Sequence, residues 1–576
     1  MAVCLMGAAV IVAAGPLILD TYSVNILIRS FLYALVALTV DILWGYTGIL
    51  TFAQAAYFGI GAYAAALTFT HLGFEAATVL LAAGLAVGIP TLAGLVVGWL
   101  SFYPGSTPLY ASVVSLAFPI VVTQTIFSGG TFSGSSSGLV GYPVFDLSTD
   151  AWFRIVGAAL LLAAGAAYVF VKSEMALLLV AIRDNETRCA YLGIDAPRVK
   201  ILLTAALAAI TGFVGFGYAN FSGVVAPEIA GFVFGTELVI YVALGGRGTL
   251  VGPLIGTVLI DAASSYLSGD LPYVWQLIVG LVFIVVIVAL PNGFTPLFGR
   301  LWQFLSGQRH RQRHRAPVLE SQSVELAPTA ATLEIVGVGK SFGSLKVLED
   351  ITLSIVDGEL VSLVGPNGAG KTTLMRCISD GRERSSGAVR VNGWDIEGLP
   401  PNRVAGLGLG RKFQTAGVFE SLTVAECLRI AGAVRDKPSV MRRLHILRLP
   451  EAARAVVETT GLVDMLLRQA RLLSHGQKQA LELAMVLALE PKIVLLDEPT
   501  AGLTTLERRR IGHILKELAS RHRLAIILVE HDLDFVREIS SRVVVLHQGR
   551  IVLDGPVEEV VGSKLIRDIY AGSDHG

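Results

Sequence analysis

The stretch Gly365-Pro366-Asn367-Gly368-Ala369-Gly370-Lys371-Thr372-Thr373 has the residue types and spacing that hold phosphate. Its glycines let successive backbone N–H groups turn inward on an anion. Lys371 then reaches the outer phosphates of a nucleotide, and the Thr372 hydroxyl is placed to ligate Mg2+. The Val/Leu-rich run from Leu360 to Val364 lies directly before the loop, so a strand must deliver it and a helix start must receive it. The rest of the chain must explain what that nucleotide drives.

The elements that position this loop are legible from Leu333 onward. Short β-branched runs alternate with helical segments: Leu360 to Val364, Ile493 to Leu496, Ala525 to Val529 and Val543 to Leu546. That alternation predicts an α/β domain with a parallel sheet. A lone phosphate loop serves several classes of nucleotide binder, so the residues downstream of it decide between them. In order come Arg411-Lys412-Phe413-Gln414, then Leu473-Ser474-His475-Gly476-Gln477 opening a helix. Ile493-Val494-Leu495-Leu496-Asp497-Glu498-Pro499 at a strand end and Glu530-His531-Asp532 closing the next strand complete the set.

Together these motifs resemble the ATP-binding subunit of ABC transporters across nearly all of Leu333 to Gly576. Asp497 at a strand end can hold Mg2+ through water, and the adjacent Glu498 is placed as the general base for the water that attacks the γ-phosphate. The resemblance implies further roles. His531 becomes the γ-phosphate contact, Gln414 a contact to Mg2+ or water that also reports nucleotide state, and Phe342, upstream of the first strand, the aromatic that stacks on adenine. Taken singly, Phe342 reads equally as core and His531 as a strand-end histidine. Two residues depart from the commonest family pattern: His475 stands where glycine is usual, and Thr504 where many relatives have aspartate. Neither removes a catalytic group, since Ser474, Gly476 and Gln477 still present a helix N-terminus to a phosphate. In this family two such domains clasp two ATPs head to tail, each site pairing one phosphate loop with the other domain's signature.

Composition divides the 576 residues near residue 300. Only nine of the 45 Lys and Arg residues precede Leu301, and that half is a series of apolar runs. Val24 to Trp44, Ile49 to Phe69, Ala77 to Leu100, Ala151 to Val171 and Val199 to Tyr218 have bilayer length. The run Ala2 to Leu19 lacks a basic n-region and reads as another span. Lys172, Arg183, Arg188, Arg198 and Lys200 form the densest positive cluster of that half, which places residues 172–200 on the cytoplasmic side. Parity then requires an even number of crossings to Arg300. Val199 to Phe221, Phe232 to Leu244, Val251 to Tyr266 and Tyr273 to Leu290 supply them, with Gly245-Gly246-Arg247-Gly248 as a cytoplasmic turn. The count is about ten spans, the short Phe232 pair reading alternatively as a re-entrant hairpin.

The predicted organisation is an all-α polytopic membrane domain (residues 1–300), a basic linker (301–332) and an α/β P-loop NTPase domain of ABC type (333–576). Arg309 to Arg315, alternating with histidines, reads as a solvated basic segment near anionic headgroups. Zero net charge without a Lys/Arg-rich face argues against a nucleic-acid partner. Cys4, Cys189, Cys377 and Cys427 lack paired or metal-ligand spacing and read as reduced and structural.

The membrane half carries its own resemblance. Leu43-Trp44-Gly45-Tyr46-Thr47-Gly48-Ile49-Leu50, Gly59-Ile60-Gly61-Ala62-Tyr63, Ala181-Ile182-Arg183-Asp184-Asn185-Glu186 and Leu192-Gly193-Ile194-Asp195 look like the permeases of the branched-chain amino acid and urea importers. Arg183 to Gly193, including Asp184, Asn185 and Glu186, then fits a short coupling helix docked on the ATPase; on pattern alone it is an amphipathic interface helix. Asp41 and Gln54 lie in or beside spans, where a polar group marks either a solute route or a packing residue bonded to Tyr or Thr. Ser133 to Gly138 lies on the outer side, as a docking loop or a flexible one.

The resemblance implies a permease and ATPase in one chain, using ATP and Mg2+ to import a small polar solute across the inner (plasma) membrane, with the ATPase cytoplasmic. A second permease and a second ATPase, or a second copy of this chain, would complete the assembly, fed by an external solute-binding protein. The Arg411 to Gln414 form, Leu473 to Gln479 and Val545 to Gly549 look closer to the urea or short-amide branch, but they contact nucleotide, so branched-chain or other small amino acids stand level with it. An ABC exporter and a membrane-tethered regulatory ATPase are the alternatives.

Overall fold

The computed structural model of the chain describes residues 2–103, 106, 108–270, 274, 277, 280–281, 284–285, 288–289, 293–294, 317–322, 332–564 and 566. The Arg309-to-Arg315 segment lies outside the described residues, and of the run Tyr273 to Leu290 only scattered positions are described. Contacts group the chain into two units, Met1–Val171 with Pro197–Gln312, and Lys172–Ala196 with Arg313–Gly576. The second unit thus takes a stretch from inside the expected membrane domain.

The first unit is helical: α1 (Ala2–Ile18), α2 (Thr21–Asp41), α3 (Ala53–Leu72), α4 (Ala76–Phe102), α5 (Pro108–Ser128) and α6 (Thr149–Val171). After α7 (Glu174–Asp184) and α8 (Glu186–Tyr191), which belong to the other unit, come α9 (Ala196–Ser222), α10 (Phe232–Gly245) and α11 (Val251–Asp270). A short ribbon, β1 (Leu139–Val140) against β2 (Val224–Val225), orders the segment just after Ser133 to Gly138. Among the described residues, α2 with its extension, α4, α5, α6, α9 and α11 are long and apolar enough to cross a membrane, six where about ten spans are expected; α1 and α10 contribute shorter apolar helices.

Burial sorts these helices. In α2, 89% of the most apolar window is buried, against 22% in α4, α5 and α6, so α2 is the central staff and the others offer apolar faces outward. Asp20 starts α2 by accepting a hydrogen bond from the Ser23 N–H (3.2 Å). Past Asp41 the helix widens into a π turn, Ile42–Thr47, which Gly48 ends in the left-handed conformation. The Ile49-to-Phe69 run therefore begins as loop, and its helix starts at Ala53. Gly61 lets α3 and α9 touch at the backbone, because a Cβ there would sit 2.0 Å from the Gly212 carbonyl oxygen.

The second unit opens with α7 and α8 and continues through β3 (Val318–Gln322), β4 (Thr332–Phe342), β5 (Leu345–Val356), β6 (Leu360–Val364), α12 (Lys371–Ser379), β7 (Ser386–Val391) and β8 (Trp394–Asp395). Next are α13 (Pro401–Gly406), β9 (Leu409–Lys412), α14 (Val424–Ala431), β10 (Ile446–Pro450), α15 (Glu451–Thr459), α16 (His475–Leu487) and β11 (Ile493–Asp497). The end of the chain supplies α17 (Thr505–Ser520), β12 (Ala525–Val529), α18 (Leu533–Ile539), β13 (Arg542–His547), β14 (Arg550–Pro556) and α19 (Val557–Gly562).

The main sheet runs β14-β13-β6-β12-β11-β9, parallel except for β14. Every residue of β6, β11 and β12 is buried, as expected for strands covered on both faces. A second, antiparallel sheet, β5-β4-β7-β8, is an addition to the parallel sheet that the sequence predicts. Inside the described linker, β3 pairs in parallel with β10.

Candidate functional site

The phosphate loop leaves β6 at Gly365, whose φ of +154° and approach to the Leu546 carbonyl oxygen, 2.1 Å from where a Cβ would lie, admit only glycine. Gly368 and Gly370 also hold positive φ, and α12 starts at Lys371. The loop therefore ends on a helix N-terminus, with Asn367, Gly368 and Thr372 exposed. Lys371 is 7% exposed and its Nζ donates to the carbonyls of Gly365 (2.6 Å) and Pro366 (3.0 Å). Burial pulls its ammonium below the usual range, and the charges of Glu498 and Asp497 oppose that shift.

The paired carboxylates sit at the end of β11. Asp497 is buried at 2% exposure, and burial raises its pKa against the lowering effect of Arg411. Glu498 adopts φ +44°, rare outside glycine, and its N–H is pinned on the Val529 carbonyl (2.9 Å). That bend aims its side chain between two partners. Gln414 Nε2 donates to Glu498 Oε2 (2.9 Å), and His531 Nε2 lies 2.7 Å from Glu498 Oε1. The sequence-predicted set Gln414, Glu498 and His531 is thus one hydrogen-bonded cluster carried by three neighbouring strand ends. The Thr500 hydroxyl (2.6 Å) and N–H (3.2 Å) both donate to the neighbouring Glu530, a buried acid with a structural place.

Other candidates fall elsewhere. Phe342 does not precede the first strand; it ends β4, half exposed, with the Lys340 ammonium 4.9 Å from its ring centre. Ser474 caps α16 and forms a capping box with Gln477: the Gln477 N–H donates to Ser474 Oγ (3.3 Å) and the Ser474 N–H to Gln477 Oε1 (3.0 Å). His475, the first departure, sets its Nε2 3.2 Å from the Ala501 carbonyl, tying the signature to the loop after Glu498. A Cβ on Gly476 would come 2.8 Å from Glu507 Oε1. Thr504, the second departure, caps α17 through a box with Glu507.

Arg183 to Gly193 is not one helix. Asn185 (φ −157°) breaks it, ending α7 at Asp184 and capping α8 by accepting from the Arg188 N–H (2.8 Å). Asp184 accepts from the Ser421 N–H (2.7 Å) and hydroxyl (3.0 Å), and Arg183 donates to that hydroxyl (3.2 Å). Glu186 is exposed, while Gly193 turns at φ +79° beside Val434.

Three residues hold this stretch in place: Arg188, which the sequence marks only as part of the positive cluster, and Glu482 and Glu174, which sequence reasoning passed over. Arg188 is fully buried, 3.2 Å from Glu482 of α16, and its Nη1 donates to the Arg411 carbonyl (2.8 Å). Glu482 also accepts from the Phe413 N–H (3.2 Å), so one ion pair joins α8, the signature helix and the backbone next to Gln414. Glu174, likewise buried, accepts from Arg429 (2.8 Å) and Arg442 (3.0 Å). The available signal was a charge inside an apolar helix, Glu482 within Leu481 to Leu487.

In the membrane unit Asp41 is wholly buried, and its oxygens accept backbone N–H groups of Gly248 (2.5 Å) and Leu250 (3.1 Å). Its carboxylate is spent on holding the Gly245-to-Gly248 turn against the π turn, a packing role with backbone partners in place of the expected Tyr or Thr. Gln54 is buried too, its Oε1 accepting from Thr211 (2.9 Å) and its Nε2 without a partner among the described residues.

Known families match both halves. A family described as branched-chain amino acid transport system / permease component matches residues 22–287, and the ABC transporter family matches residues 348–501. The high-affinity branched-chain amino acid transport ATP-binding protein LivG of Salmonella typhimurium is 33% identical over 250 residues, 42% of this chain and 97% of that protein. BraF of Pseudomonas aeruginosa, of the same description, is 32% identical over 249 residues, again 42% and 97%. The phosphonates import ATP-binding protein PhnC of Alcaligenes faecalis is 37% identical over 251 residues, 42% of this chain and 89% of that protein. A solved ATP-binding cassette of an ABC transporter in its ADP conformation is 26% identical, covering 42% of this chain and 99% of that one, with a TM-score of 0.38.

Proposed function

Because the chain belongs to the ABC transporters, as a permease of the branched-chain amino acid type fused to an ATP-binding subunit, we propose that it imports a small amino acid at the expense of ATP. The two halves of the reading rest on different supports. ATPase relatives named for branched-chain amino acid transport favour that cargo over urea or short amides. The cluster of Glu498 held between Gln414 and His531 carries the energetic half.

In this reading the phosphate loop, residues 365–373, binds the β- and γ-phosphates through its N–H groups and Lys371, and Phe342 lies under the adenine. Glu498 accepts the proton of the attacking water, Gln414 orients that water, and His531 donates to the γ-phosphate. Thr372 and Asp497, with Gln414, suit a hard divalent cation, which takes one or two protein oxygens and completes its shell with phosphate and water. Bound there, Mg2+ would neutralise charge between the β- and γ-phosphates.

Ser474, His475, Gly476 and Gln477 then face a nucleotide held by a second ATPase. Residues 1–300 act as permease, 301–332 as linker and 333–576 as ATPase in a plasma-membrane assembly. A second permease, a second ABC ATPase, or a second copy of this chain, and an external solute-binding protein complete it. ATP binding draws two ATPase domains together, and α7 and α8, through Arg183, Asp184, Asn185, Glu186 and Gly193, pass that motion to the spans that flank them in sequence.

Uptake of radiolabelled L-leucine by cells lacking their own copy of the transporter tests this. The native chain restores uptake and Lys371→Ala does not; equal uptake by both would contradict the energetic role of the loop. Net outward movement of cargo would replace import by export.

A further inference from the structure

The membrane unit contains three charged side chains that the ATPase does not explain. Arg29 lies in α2, Glu237 in α10 and Asp261 in α11, all well inside apolar helices, where an ionisable group is costly and marks a function. They line one cavity of about 540 Å³ together with Tyr22, Asn25 and Tyr241. Asp261 is satisfied: Arg29 Nη2 donates to its Oδ1 (3.1 Å) and Ser30 Oγ to its Oδ2 (2.6 Å). Arg29 Nη2 also donates to Ser265. Two groups are left over. Among the described residues neither Arg29 Nη1 nor the Glu237 carboxylate makes a hydrogen bond, although Glu237 lies in the fields of both Asp261 and Arg29.

A second cavity of about 540 Å³ shares Tyr33 and Glu237 with the first, but its lining is mostly apolar, with Ile120, Phe127, Ile229 and Phe232, and the polar Thr123, Gln124 and Glu228 beside them. The arrangement is therefore a charged chamber and a greasy chamber meeting at Glu237. Arg29 is balanced by Asp261, so the net charge of the trio is that of Glu237, and the preferred occupant carries a positive group there.

We infer that these joined cavities are the membrane binding site for a zwitterionic amino acid with an apolar side chain. Glu237 takes its ammonium, Arg29 Nη1 its carboxylate, and the Phe127–Phe232 chamber its side chain. This rests on the import reading above and narrows it. A hydrogen-bonding neutral solute such as urea would leave the Glu237 charge unpaired and the apolar chamber unfilled, both unfavourable. The cavity also lies at the right end of its helices. Tyr22 is near the start of α2 and Ser268 near the end of α11, both remote from the Gly245-to-Gly248 turn that the charge pattern places in the cytoplasm, so the site opens toward the face where a solute arrives.

The test is binding of tritiated L-leucine to the purified full chain in lipid nanodiscs, with competition by isoamylamine, isocaproate and urea. Isoamylamine, which keeps the ammonium and the side chain, should compete better than isocaproate, which lacks the ammonium, and urea should not compete. Glu237→Gln should weaken L-leucine binding about tenfold and Glu237→Asp less. Equal competition by urea and isoamylamine, unchanged affinity in Glu237→Gln, or no L-leucine binding to the native chain would each overturn the site. The competition series needs no variant, so a Glu237→Gln chain that fails to fold leaves it decisive. L-Leucine uptake that survives Glu237→Gln removes the cavity and leaves the transport reading standing, whereas absence of ATP-driven uptake by the native chain removes that reading itself.

Discussion

In the proposed mechanism Glu498 concentrates the chemistry in one carboxylate. Its left-handed backbone and its two partners fix the side chain before any nucleotide arrives, so little reorganisation accompanies catalysis. Glu498→Gln should keep ATP binding, measured by fluorescent-nucleotide titration, and lower turnover roughly 10²- to 10⁴-fold. Asp497 predicts a pH dependence. Burial raises its pKa, so on acidification it is neutralised at a higher pH than an ordinary carboxylate and stops serving a cation. The acid limb of Mg2+-dependent ATPase activity should therefore lie above the usual aspartate value of about 4, and turnover that holds level down through that value would contradict the assignment. The residues of this cluster were legible because each sits at a strand end in a recognisable motif. At Asp41 pattern left two readings open, a solute route and a packing residue, and its partners are two backbone N–H groups of a glycine turn, which no local period encodes.

Among the elements, α8 is the one whose importance pattern alone understates. The Arg188–Glu482 pair joins residues 294 apart, a contact no local period encodes. Glu482 also faces the buried Lys412 ammonium 3.8 Å away, so removing the arginine leaves the carboxylate with one of its two cations, and Arg188→Met should destabilise the ATPase unit by about 1–3 kcal/mol, read by thermal unfolding. The triple variant Arg188→Met, Lys412→Met, Glu482→Leu, which removes both cations with the acid, should recover most of that stability while uptake per ATP hydrolysed stays low; recovery of both would make the cluster merely structural. Glu174 adds a second lock. Burial pushes its carboxyl up, but hydrogen bonds from Arg429 and Arg442 outweigh that and hold its pKa down. A depressed carboxyl contributes stability above its unfolded pKa and loses it as pH falls through the folded one. Proteolytic resistance of residues 172–196 should consequently persist through neutral and mildly acidic pH and fail only below the ordinary glutamate range. Strands β6, β11 and β12 were readable as unbroken apolar runs, because burial on both faces leaves no polar alternation. The antiparallel sheet was not, since register shifts along β4 and β5 break the two-residue period that would reveal it.

For the whole molecule, one chain joins a permease-type unit and an ATPase that presents a phosphate loop at one place and a signature helix at another. In the proposed reading a second ATPase completes each site. ATPase rate per chain should therefore rise with chain concentration or on adding the second ATPase, and a rate per chain independent of both would count against the shared site. The central claim is that this ATPase drives solute inward. Its most direct test is accumulation of labelled L-leucine in proteoliposomes holding the complete assembly, solute-binding protein on one side and ATP on the other. Transport should run from the binding-protein side to the ATP side and be abolished by Glu498→Gln; accumulation unaffected by that substitution, or flow in the reverse direction, would contradict inward coupling.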